Sequence, residues 1–241
     1  MRRFYSVDPL ETGCLVLPKE VSRHIRTVLR LGVGTEIELF NGRGRVARAR
    51  IIGCDGRVQV EIMRAETVIR PLRGAIHVGQ GAIQGRQMDL VVQKYTELGV
   101  SSLTPVLFHR CQPVDRRLPQ KRYERWHQII RSSGEQCGSN FLMDLHPPRS
   151  VSDFLDHNQS GLKILFWEEE QTARLRDLPP VQPDKTVRVL IGPKGGITRE
   201  EVELARGCGF HVLSLGRLIL RAETAGIAAV TLLQQRLGNM G

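Results

Sequence analysis

The chain has 241 residues, 41% of them hydrophobic, and carries 35 Lys and Arg against 25 Asp and Glu, a formal net charge of +10. That content supports a sizeable core in one large domain or two smaller ones, and the basic balance favours a polyanionic partner, nucleic acid foremost. No apolar run approaches the ~18 residues of a membrane helix, and Met1-Arg2-Arg3 leads into no signal-peptide core. The five cysteines (Cys14, Cys54, Cys111, Cys137, Cys208) form neither a C-x-x-C pair nor a Cys/His cluster at metal-ligand spacing, so a cytoplasmic protein with reduced thiols and no metal or membrane partner is expected.

Residues 4–7 read as a short strand, and Pro18 opens a helix extending to about Arg30. Val21, Ile25, Val28 and Leu29 fall at i, i+4, i+7 and i+8 and predict one buried stripe. Arg23, Arg26 and Arg30 lie on another face, either as a solvated helix surface or as phosphate contacts. Segments 36–40, 45–52 and 57–63 are strand-like, separated by Asn41-Gly42-Arg43-Gly44 and Asp55-Gly56, which are hairpin signals. Alternation sets Arg48 and Arg50 opposite Ala47, Ala49 and Ile51 and predicts a basic sheet face. Residues 1–72 thus predict a small β-rich domain carrying one helix.

Near Arg70-Pro71-Leu72 hairpins give way to alternating strands and helices, which places a boundary there and a second domain over 73–241. Strands are expected at 75–79, 102–108 and 163–167. Helices are expected at 88–98, with Met88, Val91, Val92, Tyr95 and Leu98 inward and Gly99 as cap, and at 121–134, burying Tyr123, Trp126, Ile129 and Ile130. Such alternation predicts an α/β fold with a mostly parallel sheet covered on both faces.

The most informative stretch is 187–237. An apolar β-branched run at 187–191 stops at Gly192-Pro193-Lys194-Gly195-Gly196, and the capping box Thr198-Arg199-Glu200-Glu201 then starts a helix. A second apolar run at 211–215 ends at Gly216, ahead of a last helix at 222–237. Two strand ends therefore deliver two glycine turns to the region where open α/β sheets bind ligands, which predicts a small-molecule pocket lined mostly by backbone. Gly79-Gln80-Gly81 lacks the third glycine of a dinucleotide fingerprint, 192–196 lacks the P-loop pattern, and there is no G-x-S-x-G or H-E-x-x-H. An ordinary dehydrogenase, NTPase, hydrolase or metalloprotease is disfavoured.

Four motifs in order, Gln93-Lys94-Tyr95-Thr96-Glu97-Leu98-Gly99-Val100, Glu135-Gln136-Cys137-Gly138, Leu190-Ile191-Gly192-Pro193-Lys194-Gly195-Gly196 and Leu215-Gly216-Arg217-Leu218-Ile219-Leu220-Arg221-Ala222-Glu223-Thr224-Ala225, closely resemble the RsmE family. Its members are bacterial SPOUT-superfamily methyltransferases that modify N3 of one uridine in the 16S ribosomal RNA of the small subunit. The resemblance covers essentially the whole chain, and the segment Arg23-His24-Ile25-Arg26-Thr27-Val28-Leu29-Arg30 is similar to the family's RNA-binding region. It implies a C-terminal SPOUT-type α/β domain with a deep trefoil knot, an N-terminal β-rich PUA-like barrel domain, S-adenosylmethionine in the knot loops, and an obligate homodimer. The implied cofactor residues are Ile191, Gly192, Pro193, Gly195, Gly196, Leu215, Gly216, Leu218, Ile219 and Leu220. Leu215, Leu218 and Leu220 either sandwich adenine or pack in the core. Expected RNA contacts are Arg23, Arg26 and Arg30 of the helix face, Arg48 and Arg50 of the sheet face, and Gln136, which suits a hydrogen bond to the base or satisfaction of buried backbone.

Uridine N3 is a weak nucleophile while it keeps its proton, so the site must help remove that proton and align the anion. Arg221 is the expected stabiliser of a uracil oxyanion, and Glu223 or Glu97 the expected proton acceptor, directly or through water. Both carboxylates also suit helix-terminal roles. The chain departs from related sequences at three positions: Lys194 and His109 stand where Glu is usual, and Ser139 where Arg is common. Lys194 places a cation beside a sulfonium, which keeps open a non-enzymatic RNA-binding or ribosome-assembly protein. A SPOUT methyltransferase acting on transfer RNA is a third reading.

Overall fold

The structure is a computed structural model that describes residues 1–7, 10–111, 119–156, 161–180, 182 and 185–241. Two units divide it: Met1–Pro71 with Arg131–Leu142, and Leu72–Ile130 with Met143–Gly241.

In the first unit, alternating apolar and charged residues build β3 (Glu36–Phe40), β4 (Arg45–Gly53) and β5 (Gln59–Thr67), paired antiparallel. β1 (Arg2–Tyr5) adds parallel to β3, and β2 (Gly13–Val16), which the sequence did not disclose, adds antiparallel to β5. The sheet order is β1-β3-β4-β5-β2. Its inward residues, among them Ile37, Leu39, Ala47, Ala49, Val60 and Ile62, share a core with Leu17 and Ile25. The helix expected over 18–30 is shorter: α1 covers Lys19–Arg23, and one wider π-helical turn, His24–Val28, follows. The extra residue in that turn breaks the 3.6-residue stripe, so Ile25 stays buried while Val28, predicted inward, is 65% exposed. Arg30 then ends the segment at φ +52°.

The expected basic sheet face is corrected. Arg48 and Arg50 do point outward, but Glu38 and Glu36 stand opposite them on β3, and Glu61 stands opposite Arg50 on β5. Arg50 pairs with Glu36 at 3.1 Å, Arg64 with Glu66 at 2.8 Å and Arg3 with Glu38 at 2.6 Å. Reading β4 alone exposed its arginines but not the carboxylates that register sets beside them.

Residues 131–142 belong to this unit for a packing reason. A Cβ at Gly42 would lie 2.8 Å from Leu142 Cγ, and one at Gly44 would lie 2.6 Å from Phe141 Cζ. The 41–44 turn is thus glycine-rich for close approach as well as for hairpin geometry.

In the second unit the elements are β6 (Ala75–Gly81), α2 (Gly85–Glu97), β7 (Ser102–Leu107), β8 (Asp144–Leu145), β9 (Arg149–Ser150), α4 (Val151–Leu155), β10 (Leu162–Phe166), β11 (Thr186–Ile191), α5 (Arg199–Gly207), β12 (His211–Leu213) and α6 (Ala222–Arg236). Between β7 and β8 the helix α3 (Gln120–Cys137) supplies residues to both units. The strand order is β12-β10-β11-β6-β7-β8, with β9 also on β7, and every pair is parallel. Pro105 is tolerated inside β7 because it falls between the residues paired with β8 and those paired with β9. Leu165, Leu190, Phe154, Val202 and Phe210 share one core cluster, while α6 packs against α2, β6 and β11.

The α2–α6 contact is set by a missing side chain. Tyr95 donates its hydroxyl to Gln80 Oε1 at 2.6 Å in a fully buried pair, and burial pushes the Tyr95 phenol up. A Cβ at Gly226 of α6 would overlap Tyr95 Oη and lie 2.8 Å from Gln80 Oε1. Gly226→Ala is expected to destabilise the fold by about 1–3 kcal/mol, although a Gly→Ala change in an open helix would gain about 1 kcal/mol. Adding Tyr95→Phe should recover part of the loss, read as urea unfolding midpoints of the single and double variants.

Candidate functional site

The strand order reverses between β6 and β11: β7 follows β6 on one side, and β10 and β12 lie beyond β11 on the other. Ligands of open α/β sheets bind at the carboxyl ends flanking such a point. A cleft of about 750 Å³ opens there, lined by Ala82 and Ile83 after β6, Arg110 and Cys111 after β7, Trp167 and Glu168 after β10, residues 191–196 and residues 214–223. Its volume suits a drug-sized ligand.

Glycines set the shape of this cleft. A Cβ on Gly81 would lie 2.5 Å from the Gly192 carbonyl carbon, so only glycine lets the turn after β11 lie across the end of β6. On Gly192 it would meet Ile197 Cγ1 at 2.6 Å, and on Gly195 the Arg110 carbonyl oxygen at 2.7 Å. Gly196 sits at φ +80° and donates its N–H to Pro193 O at 3.0 Å; a side chain there would run into Glu168 Oε1. In the second loop, Ser214 Oγ donates to Gly216 O at 3.0 Å and takes the Gly216 N–H at 3.2 Å.

All ten residues expected at a cofactor line this cleft, as do Arg221 and Glu223. Leu218 and Ile219 are 80% and 83% exposed, which removes core packing as the reason for Leu218. Arg221 is the N-cap of α6, Glu223 lies in its first turn, and no side chain caps this helix end. Glu97 does not join them: Lys94 Nζ binds its two carboxylate oxygens at 3.1 and 2.8 Å, and it is absent from the cleft wall. The sequence reading passed over Arg110, Trp167, Glu168 and Gln87, which also line the cleft. Arg110, Trp167 and Glu168 follow strands without a glycine signature and Gln87 lies in the first turn of α2, so only the sheet order brings them in.

The expected RNA contacts belong to the first unit. Arg23, Arg30 and Arg48 are exposed, Arg26 donates to Gly56 O at 2.5 Å, and Arg50 carries its Glu36 partner. Gln136 is exposed on the last turn of α3, which excludes satisfaction of buried backbone as its role. Its neighbour Glu135 accepts the Tyr5 N–H at 2.9 Å, and burial pushes that carboxyl up. In this motif, therefore, Glu135 ties α3 to β1 and Gln136 remains at the surface.

A glycine-walled cleft at the switch point of a parallel sheet defines the second unit as a ligand-binding α/β domain. An RNA methyltransferase domain model matches residues 70–234, and an RNA methyltransferase PUA domain model matches residues 17–63. The ribosomal RNA small subunit methyltransferase E of Buchnera aphidicola (subsp. Schizaphis graminum) is 30% identical over 228 residues, 93% of this chain and 91% of the relative. The enzyme of the same name from Neisseria gonorrhoeae, solved bound to S-adenosyl methionine, superposes with a TM-score of 0.88 at 32% identity, covering 98% of this chain and 97% of the other. A Legionella pneumophila methyltransferase in complex with SAM gives 0.88 at 34% identity, covering 97% and 96%. The chain belongs to the family of small-subunit ribosomal RNA methyltransferases E.

The segment bearing Glu168 is folded by a neighbouring carboxylate. Glu170 Oε1 accepts the Thr172 N–H and hydroxyl, both at 2.9 Å, and the Ala173 N–H at 3.1 Å, while Ala173 O takes the Ser214 N–H at 2.9 Å. These bonds favour the anion and hold the Glu170 pKa down from 4.5 to about 2. A depressed carboxylate contributes stability above its unfolded pKa and loses it as pH falls through the folded value, here from about 4.5 to 2. Glu170→Gln should flatten the decline in urea midpoint across that acid window; an unchanged slope would mean that other carboxylates carry it.

Proposed function

We propose that the chain is an S-adenosylmethionine-dependent methyltransferase of small-subunit (16S) ribosomal RNA, with N3 of a uridine as acceptor. The observation that carries this reading is the cleft itself: two loops at the carboxyl ends of a parallel sheet whose glycines leave backbone, rather than side chains, facing the ligand. The residues fit the cofactor. Leu215, Leu218 and Leu220 offer apolar surface for adenine, residues 191–196 offer backbone for its edges, and Glu168 and Glu223 offer two carboxylates in a wall facing a cationic sulfonium. Lys194 lines the same cleft with an exposed side chain, so its charge stays in water, where repulsion is weak. This answers the departure that favoured a non-enzymatic protein.

When bound, S-adenosylmethionine supplies an electrophilic methyl group. This chain's residues then have to hold the uracil edge-on and take its N3 proton. Arg221 and the uncapped N-terminus of α6 place a guanidinium and free N–H donors where negative charge develops on a uracil oxygen. Glu223, one residue beyond the first helical position, is the proton acceptor; Glu97 is bound to Lys94 away from the cleft. Arg23, Arg30, Arg48 and Gln136 of the first unit hold RNA, the arginines through phosphates. The exposed Leu218 and Ile219 suit cover by a second copy of the chain, in keeping with a homodimer. No described helix is long and apolar enough to cross a membrane, and a ribosomal substrate assigns the work to the cytoplasm.

Calorimetry tests the cofactor. The wild type should give heat with S-adenosylhomocysteine, and Gly196→Val should give none while keeping its circular dichroism spectrum, because the valine side chain enters the space of Glu168. Absence of heat from a folded wild type would remove the cofactor and the activity together.

Single-turnover methylation of small subunits lacking the modification tests the chemistry. The rate should rise with pH until the acceptor or the uracil has titrated, at constant cofactor and RNA occupancy. Arg221→Ala should slow the step by about 10²–10³-fold with little effect on cofactor affinity. Glu223→Gln should flatten the pH profile. Wild-type rates from both variants would reassign the roles.

A further inference from the structure

Resting on the cofactor reading above, we infer that Arg110 and Glu168 form the subsite for an α-amino-acid zwitterion, the methionine end of the cofactor. Glu168, Glu169 and Glu170 are consecutive, and two of them are bound to α5: Glu169 lies 3.5 Å from Arg199 and Glu170 lies 3.7 Å from Arg206. Glu168 alone lines the cleft, exposed. Across Gly196 stands Arg110: a Cβ built on that glycine would touch Glu168 Oε1 and lie 3.5 Å from Arg110 Nη1. No described ion pair joins the two, and among the described residues the Arg110 guanidinium makes one long hydrogen bond, 3.5 Å to Gly195 O.

The arrangement is built. The His109 N–H donates to Glu201 Oε1 at 2.7 Å, and Glu201 Oε2 takes the Thr198 N–H at 2.9 Å, so the Arg110 turn is fixed to the capping box of α5. The Phe108 N–H donates to Cys111 Sγ at 3.3 Å on the other side. Gly195 admits the Arg110 backbone, since a Cβ there would lie 2.7 Å from Arg110 O. The two adjacent glycines therefore bring a guanidinium and a carboxylate to one end of the cleft, while the leucines line residues 215–220. A cation beside an anion repels a polyanion at Glu168 and a polycation at Arg110, and matches a group bearing both charges. Arg110 takes the α-carboxylate through two N–H donors and Glu168 takes the α-ammonium.

The test compares S-adenosylhomocysteine with 5′-methylthioadenosine, which shares the adenosine and thioether but lacks the amino-acid end. The wild type should prefer the former. Glu168→Gln and Arg110→Met should each weaken S-adenosylhomocysteine by about tenfold, the loss of one charge-assisted bond, and leave methylthioadenosine unchanged, with Arg110→Lys recovering part. Equal losses for both ligands, or no loss for either, would overturn the subsite. If Arg110→Met weakened only RNA binding, Arg110 would belong to the RNA and the pairing would likewise fall. A wild type that binds neither ligand would instead remove the cofactor reading on which the subsite rests.

Discussion

The second unit depends on one steric exclusion, the absence of a Cβ at Gly81. β6 ends under the turn that leaves β11, and the Gly192 carbonyl carbon occupies space that any side chain on residue 81 would fill. Once that turn lies flat, Gly195 and Gly196 follow in contact with Arg110 and Glu168, and residues after five strands meet around one cleft. A methylene added at any of these glycines would push apart elements that are otherwise rigid, because interiors at this density do not absorb extra volume. The cleft is therefore a consequence of strand-end packing, and its backbone lining comes with it.

Charge in the first unit shows how far composition reaches. The chain's surplus of +10 is real, yet β3, β4 and β5 place Glu36, Glu38, Glu61 and Glu66 among Arg48, Arg50 and Arg64 on the solvent side of the sheet. Such interleaving neutralises the sheet face locally and leaves fewer cations for a phosphate backbone than a count over the strands suggests. Arg23 and Arg30 flank the π-helical turn and stay exposed.

What could be read from the sequence followed its periods and punctuation. The 3.6-residue pattern of α2 gave Met88, Val91, Val92 and Tyr95 as buried, and the Thr198 capping box gave the start of α5. The glycine turns gave both loops that line the cleft, since Gly192, Gly195 and Gly196 carry their steric reason in their identity. What the structure adds lies outside a fixed period, whether local or distant in sequence. Val28 left the buried stripe because a π-turn is invisible to a fixed period, and Glu97 was drawn off by Lys94 on its own helix. Arg110 and Glu168 became site residues only through the order of strands, and the return of Phe141 and Leu142 to Gly44 and Gly42 spans about a hundred residues of chain.

The two helices that follow the glycine turns end differently, and the difference separates support from chemistry. At α5, Thr198 Oγ1 accepts the Glu201 N–H at 3.3 Å and Glu201 returns a carboxylate to the Thr198 N–H, so the donors are satisfied within the helix and the remaining carboxylate oxygen anchors His109. At α6 no side chain caps Arg221, and the first turn faces the cleft with its amide donors unspent. A helix end satisfied by its own box has no electrostatic work left to do, whereas an open one exerts its positive potential on whatever enters. Gly226, pressed on Tyr95 one turn further along, fixes the axis along which that potential points. The uncapped end of α6 is thus held in place by a fully buried polar pair, which fixes an open helix terminus against the cleft.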